Sequence, residues 1–301
     1  MTYQYDSTFH ALVTSVTNDL GHVTVTDYND PQRPYFNLAF GLPYQITDAN
    51  GQITTYQYDS LGRLTAVDRP LGANSNDTVT EYVDYNNSTH EPRHVISKQC
   101  AQVSAGSCQD YLTSWTFHDG LGHRIQQQTE SEEAGKRIVV NWKYENGGKL
   151  VKESIPYETD APVSGAYIQP DWGQPFTTYE YDRINRVKRV HHPNGDEVVT
   201  EYNHLYTAVF DEKGHLTVQK DDGLGRIVHV TTYETAYDTG GSSWVVPFWQ
   251  NLPSETPYTE TEYEYDARDG LTDVWNLTNG DPVHTSIEYD HGGRKWRMDD
   301  P

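Results

Sequence analysis

The chain has 301 residues, 44 acidic against 22 basic side chains, a formal net charge of -22 and two cysteines. That charge repels nucleic acids and anionic membranes, no apolar run reaches the roughly 18 residues of a membrane span, and two cysteines are too few for a disulfide scaffold. With 23 Tyr and 7 Trp supplying large, partly apolar surface, the composition fits an ordered, tyrosine-rich β protein. No G-x-S-x-G, H-E-x-x-H or Walker loop appears, so no cofactor or metal is expected.

In chain order, the first element is Tyr3-Gln4-Tyr5-Asp6, a short strand ending on an acid. No basic or apolar leader precedes it, so no signal peptide is expected, and the chain reads as a piece of a longer protein. Asn50-Gly51 marks a hairpin turn. Tyr56-Gln57-Tyr58-Asp59-Ser60-Leu61-Gly62-Arg63 follows, and variants of this octet recur down the chain. Tyr56 and Tyr58 share one face of a strand. Asp59 ends that strand by accepting a backbone N–H two residues on. Gly62 supplies the left-handed residue of a tight loop. Arg63 pairs with Asp59 or lies over a tyrosine ring.

Residues 72–115 interrupt the rhythm and read as an inserted loop. Within them Cys100 and Cys108 flank a short segment that closes as a disulfide in an exported protein or stays as two thiols. Their spacing fits no zinc pattern. The octet returns without its tyrosine around Asp119 and Gly122. A second inserted loop, with four prolines, spans 156–176. Tyr181, Asp182 and Arg186 carry the next full copy, and Asp222, Gly225 and Arg226 another. A third insertion, 237–257, holds the aromatic cluster Trp244, Phe248 and Trp249, the one candidate surface for a carbohydrate or a cell-surface protein. Thr259-Glu260-Thr261-Glu262-Tyr263-Glu264-Tyr265 alternates with a period of two and ends on Asp266. Tyr289, Asp290 and Arg294 form the last copy, and the chain stops within a further repeat.

Turn centres about ten residues apart predict an antiparallel meander of some 20–30 short hairpin strands. No long segment shows a helical period. An open twisted sheet of more than about ten strands must curl, so the strip is expected to coil. The whole chain, 1–301, reads as one array, incomplete at its C-terminus. Two of these acids, Asp59 with Asp182, could be imagined as the carboxylate pair of a glycosidase. Their recurrence in the same turn context points instead to architecture, and the chain is expected not to be an enzyme.

Y-x-Y-D-x-x-G-R with strand-like flanks and a period near 20 resembles the RHS/YD-repeat family. Arg137-Ile138-Val139-Val140, Val151 to Tyr157 and Thr178 to Pro193 are similar to the repeat regions of bacterial toxin-complex B and C proteins. The resemblance implies a β-sheet strip spiralling into a hollow shell around a toxic C-terminal segment, in a secreted or cell-surface parent protein. It implies as partners the rest of the array and that enclosed segment. The autoproteolytic core segment of the family is not visible.

Overall fold

The structure is a computed structural model and describes residues 1–33, 36–69, 76–84, 88, 90–104, 107–161, 165–234, 257–277 and 282–300. Among them are 23 strands and one five-residue helix. Every strand pairing for which a register is defined is antiparallel. The all-β meander expected from the turn spacing is therefore what forms. No helix of the described residues is long and apolar enough to cross a membrane.

The chain divides into two compact units, Met1–Lys143 with Ser154–Gln174, and Tyr144–Glu153 with Pro175–Pro301. The first holds β1 (Thr2–Tyr5), β2 (Val13–Thr17), β3 (Val23–Asp27), α1 (Phe36–Phe40), β4 (Gln45–Thr47), β5 (Ile53–Tyr58), β6 (Leu64–Asp68) and β7 (Asn76–Val83). It continues with β8 (Arg93–Ser104), β9 (Ser107–His118), β10 (Arg124–Glu130), most of β11 (Lys136–Tyr144), and β13 (Tyr157–Asp160). Consecutive strands pair from β1 to β11, and β13 pairs with β11.

Two rows of directly opposed residues make the core of this unit. One runs His94, Phe117, Gln126, Asn141, and the other Ile96, Trp115, Gln128, Val139. Phe117, Val139, Gln126, Gln128 and Asn141 are inaccessible to solvent. A core that mixes aromatic rings with amide side chains is unusual, because each buried amide costs free energy unless it is hydrogen-bonded.

The second unit holds most of β12 (Leu150–Ser154), then β14 (Phe176–Tyr181), β15 (Val187–His191), β16 (Glu197–Asn203), β17 (Tyr206–Phe210), β18 (Leu216–Asp221) and β19 (Ile227–Tyr233). β20 (Thr259–Tyr265), β21 (Leu271–Asn276), β22 (Val283–Tyr289) and β23 (Lys295–Asp299) complete it. Pairing is sequential from β14 to β23. Its core is apolar. Val199, Phe210, Leu216 and Tyr233 lie opposite one another across four strands, with Ala208 against Val218 in the adjacent row. Directly opposed β-branched and aromatic side chains are the unit of sheet stabilisation.

Two expected insertions differ from their reading. Residues 72–115 carry β7, β8 and most of β9 rather than a loop. The octet is absent there because β8 and β9, at 12 residues each, are longer than the short strands that set the repeat. Residues 156–176 include β13, followed by a strap that crosses the sheet. The third insertion lies almost wholly outside the described residues, and Trp244, Phe248 and Trp249 with it.

Candidate functional site: the repeated turn and the anchored strap

The octet builds one turn many times over. At Asp59 the backbone N–H donates to Arg63 O at 2.9 Å, and Gly62 N–H donates to Asp59 O at 3.2 Å. Gly62 has φ +79°, the left-handed conformation that glycine adopts without a steric penalty. Asp59 Oδ1 accepts the N–H groups of Leu61 and Arg63, both at 2.9 Å, and its Oδ2 accepts Arg63 Nε at 2.6 Å. One carboxylate thus satisfies three donors and closes the loop. The strand register slips by one residue just before it, at Gln57/Tyr58, which is the bulge such a loop requires.

The same arrangement recurs at Asp182 with Arg186, Asp222 with Arg226 and Asp290 with Arg294. At Asp119 and Asp211 a histidine, His123 or His215, replaces the arginine and meets the carboxylate through Nδ1 at 2.8 Å. At Asp266 the fifth position is Gly270, which brings only its N–H to the carboxylate, and Arg226 of the neighbouring turn reaches across to Asp269 at 2.8 Å and to Asp266 O at 3.5 Å. Asn185 and Asp269 take the left-handed position in their turns with φ of 69° and 66°. The first copy is widened. Asp6, below Tyr5, accepts N–H groups from Thr8, Phe9, Ala11 and Leu12, and its own N–H reaches Leu12 O.

These contacts shift the carboxyls. The Arg226 backbone N–H holds Asp222 below the ordinary carboxylate range, against the upward push of burial, and the guanidinium adds to the lowering. At Asp59 and Asp182 burial pushes upward most, and the combined N–H and guanidinium contacts of Arg63 and Arg186 outweigh it. A carboxylate already saturated by its own turn is poorly placed to exchange protons with a substrate.

The sequence leaves open whether each arginine meets its aspartate or a tyrosine; Arg63, Arg186 and Arg226 do both. The Arg63 guanidinium lies 4.1 Å from the centroid of the Tyr82 ring, Arg186 3.8 Å from Tyr202, and Arg226 4.8 Å from Tyr265. In each case the same tyrosine hydroxyl donates to the carbonyl one residue past the arginine. Tyr82 reaches Leu64 O at 3.1 Å, Tyr202 Val187 O at 3.0 Å, and Tyr265 Ile227 O at 2.8 Å. Tyr58, Tyr181 and Tyr289 make the equivalent hydroxyl bond to Pro43, Leu150 and Leu271. Asp, Arg and Tyr from two strand ends thus form a staple between one hairpin and the next. Tyr82 and Tyr202 stand outside the octet because no D-x-x-G-R follows them. The Glu-Tyr dipeptide they share with Tyr181, Tyr265 and Tyr289 is the signal that finds them.

A second construction lies on the core face of the first unit. The strap at 165–171 is held by side-chain amides. Gln126 Nε2 donates to Ile168 O at 2.6 Å, while Ile168 N–H returns a bond to Gln126 Oε1 at 3.0 Å. Gln128 Nε2 donates to Ala166 O at 3.0 Å and to Gln126 Oε1 at 2.7 Å. Asn141 accepts from Gln126 and donates to the Tyr157 hydroxyl. Arg137 donates to Gln128 Oε1 and lies 3.5 Å from the Trp115 ring centroid. Gly165 sits so close to Trp115 that a Cβ there would lie 2.5 Å from its Nε1. Gln126-Gln127-Gln128 gave no apolar period, so nothing in the sequence singled out its outer two residues as core.

Cys100 and Cys108 are joined by a disulfide, with Cα atoms 5.8 Å apart. Among the described residues no group of three or more His, Cys, Asp or Glu side chains could hold a metal ion.

The Asp59 turn and its flanking strands lie in the stretch matched by a family model for the RHS Repeat, residues 39–73. Residues 39–73 thus match one RHS repeat. Solved structures extend the likeness along the chain. The crystal structure of TcdB2-TccC3 aligns with 99% of it at a TM-score of 0.66 and 16% identity. The structure of the Photorhabdus luminescens Tc holotoxin pore, carrying a TccC3 mutation, aligns over 99% at 0.66 and 15% identity. The TcdB2-TccC3-Cdc42 crystal structure aligns over 99% at 0.65 and 15% identity. At these identities the likeness is one of fold. The chain covers 18% and 20% of those chains, about a fifth of their length. No curated protein matches the chain.

Proposed function

We propose that this RHS-repeat chain is a stretch of wall in a hollow β-sheet shell, and that it encloses a C-terminal segment of its parent protein without doing chemistry itself. The observation that carries the reading is the staple. The turns at Asp59, Asp182 and Asp222 spend their aspartate, arginine and a neighbouring tyrosine on holding hairpins to one another. An array stabilised by nearest-neighbour contacts can be extended without limit, which is what a wall needs. The fold likeness to Tc toxin structures supports the same reading. A net charge of -22 suits a soluble surface that resists association with other anions. The parent would then be a secreted or surface protein, and the single array would run through both compact units.

The test uses the full parent chain. Limited proteolysis should spare the segment downstream of the repeats while the shell is intact. Truncation within residues 176–301 should open it to cleavage at protease concentrations at least tenfold lower. Equal susceptibility in the intact and truncated chains would refute enclosure.

A further inference from the structure

β8 and β9 run past the strands on either side of them. The pairing of β7 with β8 begins at Thr78 opposite Gln99, and that of β10 with β9 ends at Thr129 opposite Ser114. Beyond this line β8 and β9 pair only with each other among the described residues, through Cys100 opposite Tyr111, Gln102 opposite Asp110 and Val103 opposite Cys108. Two register slips, at Cys100/Gln102 and Gln102/Val103, loosen this ladder. Ala101 to Ser104 are exposed, as are Gln109, Asp110 and Leu112. The root is firm by contrast. Lys98 Nζ pairs with Glu81, and Glu130 Oε2 takes the Thr113 N–H at 3.1 Å where β10 stops.

A two-stranded ribbon without a third strand or a covering layer is marginally stable in water. Here the Cys100–Cys108 bridge crosses it. These are the chain's two cysteines, so its thiol–disulfide chemistry is confined to this ribbon. Both cysteines are partly exposed, within reach of a thiol reductant.

We propose that the ribbon, residues 100–104 paired with 107–112, is a redox-gated finger: ordered while Cys100 and Cys108 are bridged, open when they are reduced, with the sheet beneath unchanged in either state. Reduction transfers two electrons and two protons to the bridge. A dithiol reductant supplies both and leaves as its own disulfide, and each cysteine sulfur becomes a thiol. The bridge closes a loop with a sequence separation of 8. The chain-entropy treatment of such a loop gives roughly a 50- to 100-fold change in the local opening equilibrium. The finger would be held in an oxidising compartment and released in a reducing one. This inference does not depend on the wall reading, since it concerns one hairpin and one bond.

The experiment is hydrogen exchange on the whole chain before and after treatment with dithiothreitol. Amide protection within 100–104 and 107–112 should fall about 50- to 100-fold on reduction. Protection in β16, β17 and β18 should stay within about twofold, as local opening predicts. Cys100→Ser with Cys108→Ser should show the reduced pattern without any reductant. Unchanged protection in the finger, or loss of protection throughout the first unit, would overturn the proposal.

Discussion

Replacing Gln126 by leucine tests the anchored strap at its centre. The side chain is fully buried and takes part in four hydrogen bonds, with Ile168 O, Ile168 N–H, Asn141 Oδ1 and Gln128 Nε2. Leucine matches the volume and removes all four. Gln128 keeps its bond to Ala166, but the two backbone groups of Ile168 and the Asn141 Oδ1 atom lose this partner. Each stranded buried group costs about 1–3 kcal/mol, and the added apolar burial returns about 1.5–3 kcal/mol at most. The net loss is about 2–4 kcal/mol, concentrated on the strap. Hydrogen exchange at Tyr167 and Ile168, the strap amides with side-chain acceptors, should therefore accelerate roughly 30- to 1000-fold. Exchange in β17 and β18, in the other unit, serves as the control. Strap amides that keep their protection within about threefold would refute the claim that Gln126 holds the strap.

Three further outcomes follow from the turns. Gly165→Ala should destabilise the first unit more than Gly122→Ala in urea titrations. Both glycines have positive φ, costing an alanine roughly 1–2 kcal/mol, but only the Gly165 Cβ would collide with a neighbour, Trp115. Tyr202→Phe should cost about 0.5–1.5 kcal/mol, because it removes the bond to Val187 O and keeps the ring under Arg186. Tyr202→Ala should cost clearly more, and equal losses in urea would remove the guanidinium stack from the account. Asp222 has a folded pKa held below its unfolded value of about 3.9, so its contribution is complete above that pH and is lost as pH falls through the lowered value. The thermal midpoint advantage of the native chain over Asp222→Asn should thus be constant from pH 6 to about 4.5 and shrink below pH 4. An advantage independent of pH would contradict the charge's role.

The meander is legible in the sequence because its turns are local. Asp59, Gly62 and Arg63 specify a loop within five residues, and no distant contact is needed to find it. Alternation in Thr259 to Tyr265 likewise needs only a period of two. What failed to show was everything set by packing between distant residues. Gln126 and Gln128 look like solvent-facing polar positions until Ala166 and Ile168 are laid over them. The 72–115 stretch carries no octet, because long strands replace the short hairpins that announce themselves through their turns. Tyr82 sits 19 residues beyond Arg63 and Tyr202 16 beyond Arg186, so the octet alone does not show which ring each arginine meets. The helix at Phe36–Phe40 is too short to set up a period.

The staple between successive hairpins is tested most directly by proton–proton contacts in a deuterated, selectively labelled sample. Arg63 side-chain protons should contact the Tyr82 ring, Arg186 the Tyr202 ring and Arg226 the Tyr265 ring, each alongside sequential antiparallel pairing of the strands that carry them. Arginines that contact only their own turns, with the three rings elsewhere, would contradict it.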